Sequence, residues 1–169
     1  AFNQGTWFIY DPSSDQAGDG AFEPNRAFAA SAVVDGLSNT TAMSEVKAFQ
    51  PNYWDGGQPT APGAAPPTTT ADLASLLGGT FDTNGHTEWV EGDVHEVGFT
   101  TTFTPNTVIP YTNAGQPFDI DITSMRDGES TTLPTYAAII ARSFHTGLVQ
   151  VSLMDGSARA VSNNIDLKI

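Results

Sequence analysis

Three histidines and a scatter of carboxylates are the side chains here best suited to chemistry, because the chain has no cysteine and therefore no thiol nucleophile, thiolate ligand or disulfide. The densest stretch is Gly85-His86-Thr87-Glu88-Trp89-Val90-Glu91-Gly92-Asp93-Val94-His95-Glu96, with two histidines and four acids. On a continuous strand His86 and Glu88 share a face, and His95 follows across a turn. With His145 these residues could build a His-rich metal site or a His/Glu acid–base pair, the makings of a hydrolase. The spacing matches no zinc helix, since H-E-x-x-H is absent, so no catalytic zinc is expected. The chain also lacks G-x-S-x-G, a Walker loop and G-x-G-x-x-G. Polar residues at a hairpin end account for the cluster without any chemistry, and that is the stronger reading.

Two other groups could bind rather than react. Asp11, Asp15 and Asp19 stand in a Gly-containing loop and could offer oxygen ligands to calcium, although the EF-hand pattern and its final Glu are missing. A simple acidic turn is the stronger reading of these residues. Among the tryptophans, Trp7 and Trp89 fall in alternating strand-like patterns and are expected in the core. Trp54, in Tyr53-Trp54-Asp55-Gly56-Gly57, is the one candidate for stacking on a glycan.

Near the C-terminus His145 is followed by nine residues and then Asp155-Gly156. Val149, Val151 and Leu153 alternate with Gln150, Ser152 and Met154, the period of a half-buried strand. Asp155-Gly156 suits a two-residue hairpin turn with positive φ at both positions. Pairing Leu153 with Ala158 and Val151 with Ala160 would make one apolar face of Val149, Val151, Leu153, Ala158 and Ala160. Strand and turn explain this spacing structurally, ahead of any His145/Asp155 catalytic pair.

These residues need a scaffold, and composition suggests its kind. The 169 residues suit a single domain, 1–169, and sixteen Gly and eleven Pro favour strands with long loops over a bundle. A net charge of −13 repels phosphates, which excludes nucleic acid and disfavours anionic membranes. No stretch reaches the roughly 20 apolar residues of a membrane span. No signal peptide is visible at Ala1, and a mature form, a processed form or a fragment is expected. Thr6–Tyr10 reads as a strand ended by Asp11-Pro12, and residues 51–70, with five prolines, as an extended surface segment. Thr70–Gly78 reads as a helix capped by Thr70, with Leu73, Leu76 and Leu77 on one face. Thr87–Phe103 reads as two strands, Phe118–Thr123 as a strictly alternating one, and Tyr136–Ser143 as a buried one.

The His-x9-Asp-Gly spacing, together with Gly5-Thr6-Trp7-Phe8-Ile9-Tyr10-Asp11-Pro12, Gly18-Asp19-Gly20-Ala21-Phe22, Asp35-Gly36-Leu37-Ser38-Asn39-Thr40, Glu45-Val46-Lys47-Ala48, Gly85-His86-Thr87-Glu88-Trp89-Val90 and Phe103-Thr104-Pro105-Asn106-Thr107, resembles a large planctomycete family of prepilin-like proteins of unknown function. The family also carries a label as bacterial solute-binding protein family 10. The resemblance covers nearly the whole chain. It implies a mostly-β α+β fold: a pilin-like antiparallel sheet with long irregular loops and one or two short helices. It also implies an extracytoplasmic domain, periplasmic or at the cell surface, whose basic leader and hydrophobic anchoring helix are missing from this chain. The implied partners are other pilin-like subunits, met through that helix. No enzymatic activity is implied. The leading expectation is a non-enzymatic, pseudopilin-like subunit of a secretion or filament system. The alternatives are a cell-surface module for glycan or calcium, and a hydrolase using His86, Glu88, His95 and His145.

Overall fold

A computed structural model describes residues 1–126 and 129–167. The described residues form strands β1 (Phe2–Asn3), β2 (Phe8–Asp11), β3 (Gln16–Ala17), β4 (Thr41–Ser44), β5 (Gln50–Trp54), β6 (Thr80–Gly85), β7 (Gly98–Phe99), β8 (Pro110–Asn113), β9 (Gln116–Asp119), β10 (Asp121–Thr123), β11 (Thr135–Ala138), β12 (Leu148–Leu153) and β13 (Ala158–Ser162). One α-helical turn, α1 (Val94–Val97), and two 3₁₀ segments, Ala30–Ala32 and Thr70–Leu76, complete the regular structure. The strands make a five-stranded sheet, β13-β12-β4-β1-β7, a six-stranded sheet, β3-β2-β11-β10-β5-β6, and the β8-β9 hairpin. The fold is mostly β with short helices, as expected. Parallel pairing of β1 with β7 and of β5 with β10 makes both larger sheets mixed.

The apolar run at the end of β11 explains how the six-stranded sheet is packed. Tyr136, Ala138 and Ile140 face a core with Trp7, Tyr53, Leu73, Ile109, Ile120 and Ile122. The intervening Ala137 and Ile139 face the other side, with Ile9 and Val94. A strand covered on both faces reads as continuous hydrophobicity, which is why this segment shows no alternation in sequence. The strict alternation at Phe118–Thr123 is real but spans two strands. Phe118, Ile120 and Ile122 enter the first core, while Asp119 and Asp121 reach the buried Arg142 guanidinium at 3.1 and 2.7 Å. Arg142 also donates to the carbonyls of Thr107 (2.6 Å) and Ile120 (3.2 Å). This largely pairs a charge that would otherwise be costly to bury.

Several local expectations are corrected. Pro51 lies inside β5 and not in a surface segment, because the pairing with β6 shifts register between Gln50 and Asn52 and the missing N–H is absorbed there. The Thr70 segment is a 3₁₀ helix. Asp72 holds its start by accepting from the backbone N–H groups of Thr68 (3.0 Å) and Thr69 (2.8 Å). Thr87–Phe103 contains a turn, α1 and only the two-residue β7 in place of two strands. The terminal hairpin exists, but it is offset by one residue. Leu153 N–H bonds the Ser157 carbonyl at 2.8 Å, and Gly156 N–H returns to the Leu153 carbonyl at 3.0 Å. The loop is therefore Met154-Asp155-Gly156, and within it only Gly156 takes positive φ (84°). Ala158 pairs with Ser152 and Ala160 with Gln150, so both alanines are exposed while Val149, Val151 and Leu153 stay buried.

Candidate functional site

The segment singled out for its histidines is positioned by the β5–β6 ladder, in which Gln50 pairs with Gly85. A Cβ at Gly85 would lie 2.7 Å from the Gln50 carbonyl oxygen, so a side chain is excluded there. His86 then turns the chain with φ 60°, and its N–H bonds the His95 carbonyl at 3.2 Å. His86 Nδ1 lies 2.9 Å from the Glu96 carbonyl oxygen. A carbonyl only accepts, so Nδ1 carries the proton.

Glu96 is the hub that the sequence reading passed over in favour of Glu88. Its side chain is fully buried, and Oε2 accepts from the N–H groups of Thr87 (2.8 Å) and Glu88 (2.7 Å). Its Oε1 lies 3.5 Å from His95 Nε2. His95 packs on the Trp54 ring with centroids 5.2 Å apart, and the Arg126 guanidinium lies 5.2 Å from the centroid of the same ring. Arg126 in turn pairs with Asp55 and Glu129, each at 3.2 Å. Burial pushes the His86 imidazole down to about 4, and burial with the Arg126 charge does the same for His95. Both rings are therefore neutral near pH 7. Burial raises the Glu96 carboxyl, against the two backbone donors that favour its ionised form.

His145 and the aspartate candidates make their contacts outside this cluster. His145 is exposed, 3.5 Å from Glu45, and its backbone N–H bonds Ser143 Oγ at 3.0 Å. Asp155 lies beyond the far end of β12, a six-residue strand about 20 Å long, so the two motif residues do not form a catalytic pair. Asp155 instead closes its turn by accepting from Ser157 N–H (2.9 Å) and Oγ–H (2.6 Å). Trp54 ends β5 and is half-buried beside His95 and Arg126, not in an open loop. Trp89, expected in the core, is exposed. In the proposed calcium loop each carboxylate has its own protein partners. Asp11 accepts from Ser13 and Ser14, Asp15 from the Tyr10 hydroxyl, and Asp19 from Thr6. Among the described residues no three His, Asp or Glu side chains stand close enough to hold one metal ion.

Three cavities are lined by other residues. One of about 410 Å³ sits under the 19–40 loop, among Asp19, Glu23, Arg26, Phe28, Val34 and Asp35. A second, about 360 Å³, opens beside Trp7, Phe8, Gln16 and Pro66. A third, about 100 Å³, is apolar and lies against the five-stranded sheet, lined by Phe99, Phe103, Ala141, Val149, Val151 and Ile165, among others. None of these three is lined by His86, His95 or Glu96.

Residues 1–168 match the model of a family described as protein of unknown function DUF1559, SBP_bac_10. The chain belongs to this family. Curated proteins and solved structures give no significant match. For this DUF1559 chain the family establishes kinship, and functional argument has to come from the sites.

Proposed function

We propose that this DUF1559 chain is the extracytoplasmic globular part of a non-enzymatic, pseudopilin-like subunit of an envelope secretion or filament system, anchored by an apolar helix N-terminal to Ala1. The observation that carries this reading is the apolar groove on the five-stranded sheet. Ala1 packs on the cluster of Phe99, Ala141, Val149, Val151 and Leu153 that underlies the groove. Its backbone nitrogen donates to the Ser44 carbonyl at 2.9 Å, and Ser44 lines the groove. A segment leading into Ala1 would arrive beside this apolar surface, the kind of face a sheet buries against a helix. The buried His95/Glu96 pair leaves out His145, which is exposed and turned to Glu45, and this argues against the hydrolase alternative.

The test uses the full-length gene product in its native envelope. Its mature N-terminus is sequenced by mass spectrometry, and its membrane fraction is compared with the soluble one. The expected result is a prepilin-type cleavage, an N-methylated first residue and a retained apolar segment in the membrane fraction. A freely soluble product cut by ordinary signal peptidase would overturn the proposal.

A further inference from the structure

The turn Glu88-Trp89-Val90-Glu91 departs from ordinary surface chemistry. Glu91 N–H bonds the Glu88 carbonyl at 2.7 Å, so Trp89 and Val90 occupy the two corners of a β-turn. Those corners ordinarily carry Gly, Pro, Asn, Asp or Ser. Here they present an indole 77% exposed and a valine 83% exposed. The turn is held from inside by Glu96, which commits a buried carboxylate to the N–H groups of Thr87 and Glu88. Sheet topology adds further aromatics at the same end. The pairing of Gln50 with Gly85 brings Phe49 level with His86, two residues before the turn. The Arg142 N–H to Glu45 carbonyl bond (3.0 Å) brings the chain to Phe144 next to the 45–49 segment. Phe49 is 74% and Phe144 92% exposed, and Lys47 Nζ lies 4.7 Å from the Phe144 ring centroid.

We propose that this end of the six-stranded sheet is a carbohydrate-binding platform for neutral glycan chains. Trp89 stacks on the C–H face of a pyranose ring, Glu88 and Glu91 accept from its hydroxyls, and Phe49 and Phe144 continue the platform to neighbouring sugars. The physical match is direct. A sugar ring has an apolar face and a rim of O–H donors, and a rigid aromatic flanked by carboxylates offers the complement to both. The same observations disfavour the competing occupants. Cores of protein interfaces are depleted in Glu and Asp, whereas two glutamates flank this tryptophan. Anionic lipid and nucleic acid are repelled by those acids and by the net charge of −13. Uronate or sulfated glycans are disfavoured on the same ground. This binding role is independent of how the subunit is anchored.

The test titrates the 169-residue chain with cellohexaose, with the N-acetylglucosamine hexamer and with an oligogalacturonate, following the indole N–H resonances by NMR. At least one neutral hexamer is expected to shift the Trp89 indole signal, and the anionic oligomer is not. Trp89→Ala should weaken binding about tenfold or more, with smaller losses for Phe49→Ala and Phe144→Ala. Val108→Ala, also at an exposed apolar position, should bind like the parent. All four positions are exposed, so an unchanged backbone spectrum separates lost stacking from lost folding. No shift with either neutral hexamer, or equal binding by the Trp89→Ala variant, would overturn the platform. A Trp89 shift that grows with protein concentration in the absence of sugar would reassign the turn to contact between copies.

Discussion

His95 shows how one buried ring links packing to acid response. It is nearly solvent-free between Trp54 and Glu96, and burial lowers its pKa from 6.5 to about 4. Between those pH values the unfolded chain binds a proton that the folded chain refuses. The stability held by the neutral ring is thus complete above about pH 6.5, falls as pH drops, and levels off below about 4. The slope is at most about 1.4 kcal/mol per pH unit for one such group. His86 adds in the same direction. Asp121, raised from 3.8 to about 6 mainly by burial, opposes both, because the folded chain holds its proton where the unfolded chain has lost it. Changing His95→Phe keeps a ring against Trp54 and removes one titration. The variant should match the parent in urea unfolding at neutral pH and become the more stable of the two on mild acidification. A difference that stays constant with pH would mean that His95 is not held neutral.

At the level of elements, the terminal hairpin depends on one backbone angle. Gly156 has φ 84°, and a Cβ added there would meet nothing within 4 Å. Any cost of substitution is therefore conformational and not steric crowding. Gly156→Val should lower stability by about 1–3 kcal/mol, whereas Gly156→Asn, which tolerates the left-handed region, should cost much less. Equal melting temperatures for the two variants would refute the turn assignment. The same hairpin shows what sequence could and could not reveal. The alternation of Val149, Val151 and Leu153 marked β12 and its buried face correctly. Asp155-Gly156 marked the reversal, but two- and three-residue loops both use this pair, and the longer loop moves every partner by one and turns Ala158 and Ala160 outward. Trp89 was misplaced for a related reason: its spacing from Val94, Val97 and Phe99 imitates a half-buried strand, while Glu96, seven residues on, folds the segment into a turn. The histidine cluster was legible as composition. Its hub was not, because Glu88 and Glu96 differ in burial and not in type.

Across the whole molecule, charge and apolar surface work in opposite directions. Nineteen acids against six bases give the chain its charge of −13, so copies approaching in dilute salt repel one another, with a Debye length of about 30 Å at 0.01 M. Against that repulsion the groove on the five-stranded sheet encloses only about 100 Å³, and Ile165 at its rim already belongs to the same chain. The edge strand β13 presents Ala158, Arg159, Ala160 and Ser162 to solvent, a small and partly charged border that gives little apolar area for strand addition. Assembly in the proposed pseudopilin role accordingly falls to the segment N-terminal to Ala1. Residues 1–169 alone should scatter light as a 17.8 kDa monomer at micromolar concentration. Raising salt shortens the range of repulsion without adding apolar contact, so the monomer should persist across a salt series, with at most weak association at the high end. Stable filaments from these residues alone would place the assembly surface on the globular domain itself, and the division of labour between anchor and domain would have to be abandoned.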